Sequence, residues 1–104
     1  MFSVNVLYPN SDSIKFNMNY YLDTHIPLIL RLLGPALKGV LVQQGIGGGA
    51  PGSLPEFAVI TVLRFDSMES FQAAFLPHAE AVMADLVNFT NVQPSIQFSE
   101  VRLG

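Results

Sequence analysis

Strand-like and helix-like segments alternate along this chain in one particular order. Four segments have the apolar–polar alternation or the β-branched and aromatic composition of strands: Phe2 to Tyr8, Leu37 to Gln44, Phe57 to Phe65 and Ser95 to Val101. One segment with helical spacing follows the first strand, and another follows the third. The order β-α-β-β-α-β predicts a ferredoxin-like α+β fold, an antiparallel four-stranded sheet with both helices on one face.

Each helix-like segment contains a proline that interrupts it. The first segment runs from Asn17 to Leu33, and Pro27 cannot donate to the carbonyl four residues earlier, so we expect a kink or a restart there. The second opens with a capping box in which Asp66 is the cap and Glu69 lies three residues on. Pro77 predicts that this second helix consists of two short pieces.

A chain of 104 residues has room for one domain, which we place at residues 1–104. Half of the residues are hydrophobic and only 12% are charged, so a domain this small has apolar side chains without cover of its own. Two features would accommodate this excess of apolar side chains: a self-association surface and an apolar ligand cavity. We therefore expect a homodimer, most simply with two-fold symmetry. Polar residues of the first and last strands are predicted to share one face of the sheet: Ser3, Asn5, Gln97 and Ser99.

Charge and composition exclude several classes of function. The net charge is −3 and the five basic residues are scattered singly, which argues against nucleic acid and anionic membrane surfaces as partners. No apolar run approaches 18 residues, and the first residues lack the basic and apolar regions of a signal peptide, so we expect a cytoplasmic protein. The absence of cysteine excludes disulfides, a thiolate nucleophile and thiolate metal ligands.

The first candidate site residue is His25. On a helical wheel it falls at the centre of an apolar face formed by Met18, Tyr21, Leu22, Ile29, Leu32 and Leu33. A general acid/base in a semi-apolar pocket is one reading. A core histidine bonded to a backbone carbonyl, such as the one that Pro27 leaves without a donor, is the other. Tyr21 projects on the same face and can orient the ring or a bound oxygen, whereas Tyr20 points sideways.

The second candidate is His78, which follows Pro77 at the edge of the second apolar stripe. A boundary histidine at a helix restart is the alternative to a binding role. Neither histidine has a carboxylate or a further histidine at helical ligand spacing, so no metal is predicted. The segment Gly45 to Pro55 lacks the motif of a phosphate cradle and is interpreted as a lid, an arm over a partner subunit or a plain surface loop.

Six segments resemble one known family: Val6 to Pro9, Phe16 to Pro27, Leu32 to Val40, Gly47 to Gly52, Phe71 to Phe75 and Pro77-His78. Over essentially its whole length the chain is similar to the EthD family, named for ethyl tert-butyl ether degradation. The Tyr-Tyr…His-x-Pro core is fairly specific for this family, and its combination with the later Pro77-His78 is more specific. The resemblance implies a dimeric α/β barrel, in which the sheets of two ferredoxin-like subunits pack face to face.

The resemblance also implies a role in the catabolism of small ether, lactone or polyketide-type compounds. In the methylmuconolactone isomerase-like branch the histidine of His-x-Pro belongs to the catalytic pocket, and that position is His25 here. That branch also uses a cysteine, which this chain lacks. A cofactor-free isomerase, decarboxylase or monooxygenase-like enzyme is one expectation. A non-catalytic accessory module is the alternative, either holding haem or a hydrophobic ligand or supporting an oxygenase partner.

From these patterns we predict a small apolar oxygenated ligand in a pocket between sheet and helices. His25 is predicted to shuttle a proton, and Tyr21 to hydrogen-bond the substrate oxygen. The predicted substrate-binding residues are Tyr20, His78, Asn5 and Phe75. No cofactor is predicted, with haem as the alternative.

Overall fold

A computed structural model describes all 104 residues, and its centre is one antiparallel sheet. The four strands are β1 (Phe2–Pro9), β2 (Gly39–Gln44), β3 (Phe57–Phe65) and β4 (Ser95–Glu100). They lie in the order β2-β3-β1-β4, and every neighbouring pair is antiparallel. The predicted ferredoxin-like α+β fold is confirmed, with strand bounds within two residues of those expected.

The first helical region contains a wide turn. It consists of α1 (Met18–Tyr20), a π turn (Tyr21–His25) and α2 (Ile26–Leu33). The N–H of Ile26 bonds to the carbonyl of Tyr21, five residues back rather than four. Pro27 accounts for the wide turn, because its ring needs room beside the carbonyl four residues earlier and it has no N–H to offer. The predicted irregularity is present, and it begins before the proline.

The π turn changes which side chains face the sheet. Tyr21, His25, Ile29 and Leu33, each four residues apart, are buried. The prediction that Leu22 belongs to this face is wrong, since its side chain is exposed, and Ile26 is buried instead. A π turn accommodates more residues per turn than the wheel assumes, so positions around it shift relative to a regular helix.

The second helical region is divided as predicted. α3 (Met68–Phe75) is separated from α4 (Ala79–Ala84) by a 3₁₀ turn that contains Pro77. The predicted cap at Asp66 is wrong by one residue. Ser67 has the extended backbone of an N-cap, and its hydroxyl accepts from the N–H of Ser70 at 3.1 Å. The exposed Asp66 lies 3.9 Å from the Lys38 ammonium.

Both helical regions pack on the same face of the sheet. Side chains of alternate strand residues meet the helices in one hydrophobic cluster: Phe2, Val4, Leu63, Phe65, Ile29, Leu33, Phe71 and Val82. A second cluster contains Tyr8, Tyr21, Ile26, Val59 and Phe89. The opposite face has no covering element and carries a polar row, since Ser3 pairs with Ser99 and Asn5 with Gln97. The prediction that these four residues share a face is confirmed.

Candidate functional site

A cavity of about 340 Å³ lies between the sheet and the helices. Its size is in the range of small-molecule sites. Most of its wall is apolar, formed by Val4, Val6, Ile29, Leu33, Leu63, Phe71, Phe75, Val82, Met83, Leu86, Pro94, Ile96 and Phe98. Ile96 and Phe98 belong to the edge strand β4 and are half exposed, as is Met83 of α4, so the cavity opens on that side.

Only four of the side chains on the wall carry polar atoms, and they adjoin one another. They are Tyr8, Tyr21, His25 and Thr61. The Tyr21 and Thr61 hydroxyls are 2.6 Å apart. The ring of Tyr21 stacks on that of His25, with centroids 5.5 Å apart, and meets that of Tyr8 edge to face at 5.8 Å. We call this group the polar end of the cavity.

Burial keeps the two tyrosines of the polar end protonated. Burial raises the pKa of Tyr8, and the neighbouring Tyr21 raises it further. Burial also raises the pKa of Tyr21, against the opposing effect of its hydrogen bonds with Thr61 and Tyr8. Both phenols therefore remain hydrogen-bond donors in any neutral solution.

His25 is held by a carboxylate rather than by a backbone carbonyl. Its Nδ1 lies 2.8 Å from Oδ2 of Asp85, a residue that directly follows α4. The other carboxylate oxygen, Oδ1, accepts from the Tyr20 hydroxyl at 2.7 Å and from the Asn88 amide at 2.9 Å. Burial alone would raise the pKa of Asp85, but the hydrogen bonds from Asn88, Tyr20 and His25, with the charge of His25, hold it below its usual value.

The carboxylate fixes which ring nitrogen is available for chemistry. Because ionised Asp85 only accepts, Nδ1 of His25 carries the proton that it donates, and Nε2 of the neutral ring is an acceptor. Every fully buried side-chain nitrogen and oxygen atom in the protein has a hydrogen-bond partner. Nε2 of His25 bonds to no protein group, so this atom is not fully buried. The imidazole ring that carries it lines the cavity. The arrangement presents one basic nitrogen to an apolar chamber.

The structure separates the predicted site residues into two groups. His25, Tyr21 and Phe75 line the cavity, and Tyr20 lies behind His25 as a partner of Asp85. Asn5 does not line the cavity, because it points to the opposite face of the sheet and bonds to Ser99 and Gln97 there. His78 is half-buried in the 3₁₀ turn and does not line it either.

Sequence reasoning missed Asp85 and Thr61. Asp85 ends an apolar helical stripe and is followed by Asn88 at the spacing of facing helical residues, which was a usable signal for a polar cluster. Thr61 interrupts the run Val59-Ile60-Thr61-Val62-Leu63 on the buried face of β3. Its pairing with Tyr21 depends on tertiary packing across 40 residues of chain.

Two further properties concern the chain as a whole. At no place do three or more His, Cys, Asp or Glu side chains gather in a way that would hold a metal ion. None of the helices has the length and apolar character needed to cross a membrane.

Comparison with known proteins places these features in context. The EthD domain model matches residues 15–93. An EthD-like protein from Ralstonia eutropha JMP134 is 35% identical, with 98% of this chain and 92% of that chain covered and a TM-score of 0.93. An ethyl tert-butyl ether degradation (EthD) family protein from Bacillus halodurans C-125 is 23% identical, with 97% and 98% covered and a TM-score of 0.74.

A more distant likeness extends to SnoaB, a cofactor-independent oxygenase from Streptomyces nogalater. It is 12% identical, with 99% of this chain and 93% of that chain covered and a TM-score of 0.54, so it shares the fold alone. No curated protein matches the sequence.

Proposed function

The chain belongs to the EthD family, and we propose that it binds a small apolar oxygenated compound in its cavity and moves a proton on that compound with His25. The observation that carries this proposal is the pairing of His25 with Asp85 at the wall of an otherwise apolar chamber. A basic nitrogen beside bound carbon and oxygen atoms, with its other nitrogen held by a carboxylate, is the arrangement that general acid/base catalysis requires.

The hydrogen bonds of His25 support one particular route for the proton. Nε2 of His25 accepts a proton from an acidic C–H or O–H of the compound, leaving the electron pair on the compound. Asp85 stabilises the imidazolium that forms. A hydroxyl of the polar end, from Tyr21 or Tyr8, donates a hydrogen bond to the oxygen on which negative charge develops. Returning the proton to a different atom completes an isomerisation, and returning it to the same atom from solvent gives exchange.

Deuterium exchange tests the proposal without knowledge of the natural compound. 2-Tetralone, an apolar two-ring ketone with acidic C–H groups, is incubated with the protein in D₂O and followed by NMR. We expect the protein to accelerate exchange and His25→Gln to lose about 10²–10⁴-fold of that acceleration. The matched control is His78→Gln, which should exchange like the unchanged protein. Equal exchange by both variants, or none by the unchanged protein, would contradict the proposal.

A haem-binding accessory role is the second candidate, supported by the same histidine. An imidazole whose Nδ1 donates to a carboxylate and whose Nε2 is free also suits metal ligation. Titration with haemin separates haem binding from proton transfer. A Soret band that is lost in His25→Gln, together with no exchange of 2-tetralone, would favour the haem-binding role. In that role the chain would support an oxygenase partner rather than act on the compound itself.

We also propose that the open face of the sheet packs against a second copy of the chain. The apolar Leu41 is exposed on this face beside Val62, and no element of the chain covers it. The tail beyond β4 adds the exposed Leu103. Sedimentation at micromolar concentration should give a dimer for the unchanged protein and a monomer for Leu41→Asp. A monomeric unchanged protein would contradict this part of the proposal.

A further inference from the structure

The cavity has no basic side chain on its wall. The chain contains five lysines and arginines, and none of them lines the chamber. Asp85 is in contact with the polar end through its hydrogen bond with His25. A carboxylate brought into this chamber would lose its hydration and gain no cation in return, which is strongly unfavourable.

Protonation of His25 does not change this conclusion. When the ring is neutral, the His25–Asp85 pair carries the single negative charge of Asp85. When the ring is protonated, the pair has no net charge. In neither state is the pair positive, so in neither state does it attract an anion in the way that an arginine or lysine does.

The volume of the cavity limits the size of a ligand that the chamber encloses fully. An engineered apolar cavity of about 150 Å³ in another protein holds a benzene molecule. The cavity here, at about 340 Å³, is a little over twice that size. Phe71, Phe75 and Phe98 lie on its wall, and the Phe71 ring stacks on that of Phe75 at 5.2 Å, which suits a flat unsaturated ring system.

We infer that the ligand is an uncharged compound of about two rings with one ketone or hydroxyl oxygen, and that the cavity rejects the matching carboxylates. This inference rests on the proposed function and narrows its substrate class. The oxygen lies at the polar end, where phenol donors and the basic Nε2 meet, and the rings lie among the phenylalanines. The charge of Asp85 and the absence of any cation are the cause of the selectivity.

A pair of probes of nearly equal shape tests the inference. 2-Acetonaphthone and 2-naphthoate have the same two rings, and at neutral pH only the second is charged. Dissociation constants measured by calorimetry should favour the ketone by about tenfold or more. Equal affinities, tighter binding of the carboxylate, or no binding of either probe would overturn the inference.

Two charge variants test the cause. Asp85→Asn removes the negative charge behind His25, and the preference for the ketone should then fall by about tenfold. Glu80→Gln makes the same change of charge on the exposed face of α4 and should leave the preference unaltered. Circular dichroism of both variants establishes that they are folded. An unchanged preference in folded Asp85→Asn would overturn the assignment of the selectivity to that charge.

Failure of the inferred ligand class can be told apart from failure of the proposed proton transfer. If 2-tetralone is exchanged through His25 but the two naphthyl probes bind equally, the substrate class is wrong and the proton transfer stands. If the ketone is preferred but no exchange occurs, the class stands and the chemistry is wrong.

Discussion

Both helical regions of this protein are interrupted at a proline, and each interruption places a histidine beside it, yet the two histidines have different surroundings. His25 lies in the π turn before Pro27, is 2% exposed, and faces a cavity with a carboxylate behind it. His78 follows Pro77 in a 3₁₀ turn, is half-buried, and has no side-chain hydrogen bond. The type of turn and the wall that the turn faces, rather than the Pro–His proximity, distinguish a site from a boundary.

The carboxylate is the sharpest difference between the two histidines. Asp85 fixes the orientation and tautomer of His25, whereas no acidic side chain lies within ion-pair distance of His78. Asp85→Asn should lower the rate of 2-tetralone exchange by at least about 10–100-fold, the loss seen when the carboxylate that orients a metal-bound histidine is removed, and by up to about 10⁴-fold if Asp85 acts as in a catalytic triad. Glu80→Gln, close to His78, should leave that rate unchanged. Equal exchange rates in Asp85→Asn and Glu80→Gln would show that the carboxylate does not distinguish His25 from His78.

The hydrogen bond between Tyr21 and Thr61, next to His25, can be tested by its contribution to the free energy of unfolding. Tyr21 stacks on His25 and shares a buried hydrogen bond with Thr61. Tyr21→Phe leaves the Thr61 hydroxyl without a partner and should lower the free energy of unfolding by about 1–3 kcal/mol. Thr61→Val in the same background should restore part of that loss, because both ends of the bond are then apolar. Denaturant unfolding of the two single variants and the double variant measures this coupling.

The smallest expected effect is a change in how the free energy of unfolding depends on pH when Asp85 is replaced. The pKa of Asp85 in the folded protein lies below its ordinary value, which is about 3.9 in an unfolded chain. The stabilisation by this carboxylate is therefore fully present above pH 5 and is lost as the pH falls toward its folded pKa. The difference in unfolding free energy between the unchanged protein and Asp85→Asn should shrink over that range. A difference that grows on acidification would contradict the assignment.

The sequence was sufficient for the fold because the fold depends on local patterns. Strand alternation from Phe2 onward, the run from Phe57 to Phe65 and the break at Pro77 each depend on neighbouring residues, and each was confirmed. The face of the first helix was only partly predicted. A wheel drawn for a regular α-helix cannot contain a π turn. Leu22, which the wheel assigned to the buried face, is therefore exposed, and Ile26, which it did not assign to that face, is buried.

The candidate site was less accessible to sequence reasoning because its polar contacts join distant residues. His25 and Asp85 are 60 residues apart in the chain, and Asn5 was placed in the site although β1 turns it to the other face. Alternation predicts that two residues share a face, but it does not say which face the helices cover. The burial of His25 was predictable from its apolar neighbours, and its partner was not.

The position of Asp85 has a consequence for the exchange of the Nδ1 proton of His25 with solvent. The His25 side chain is 3% exposed and that of Asp85 is 13% exposed, so water reaches the pair from the side of the carboxylate. A proton on Nδ1 thus has a path to bulk water that does not cross the chamber. Exchange of that proton need not wait for a bound molecule to leave, whereas a proton taken up by Nε2 returns through the chamber.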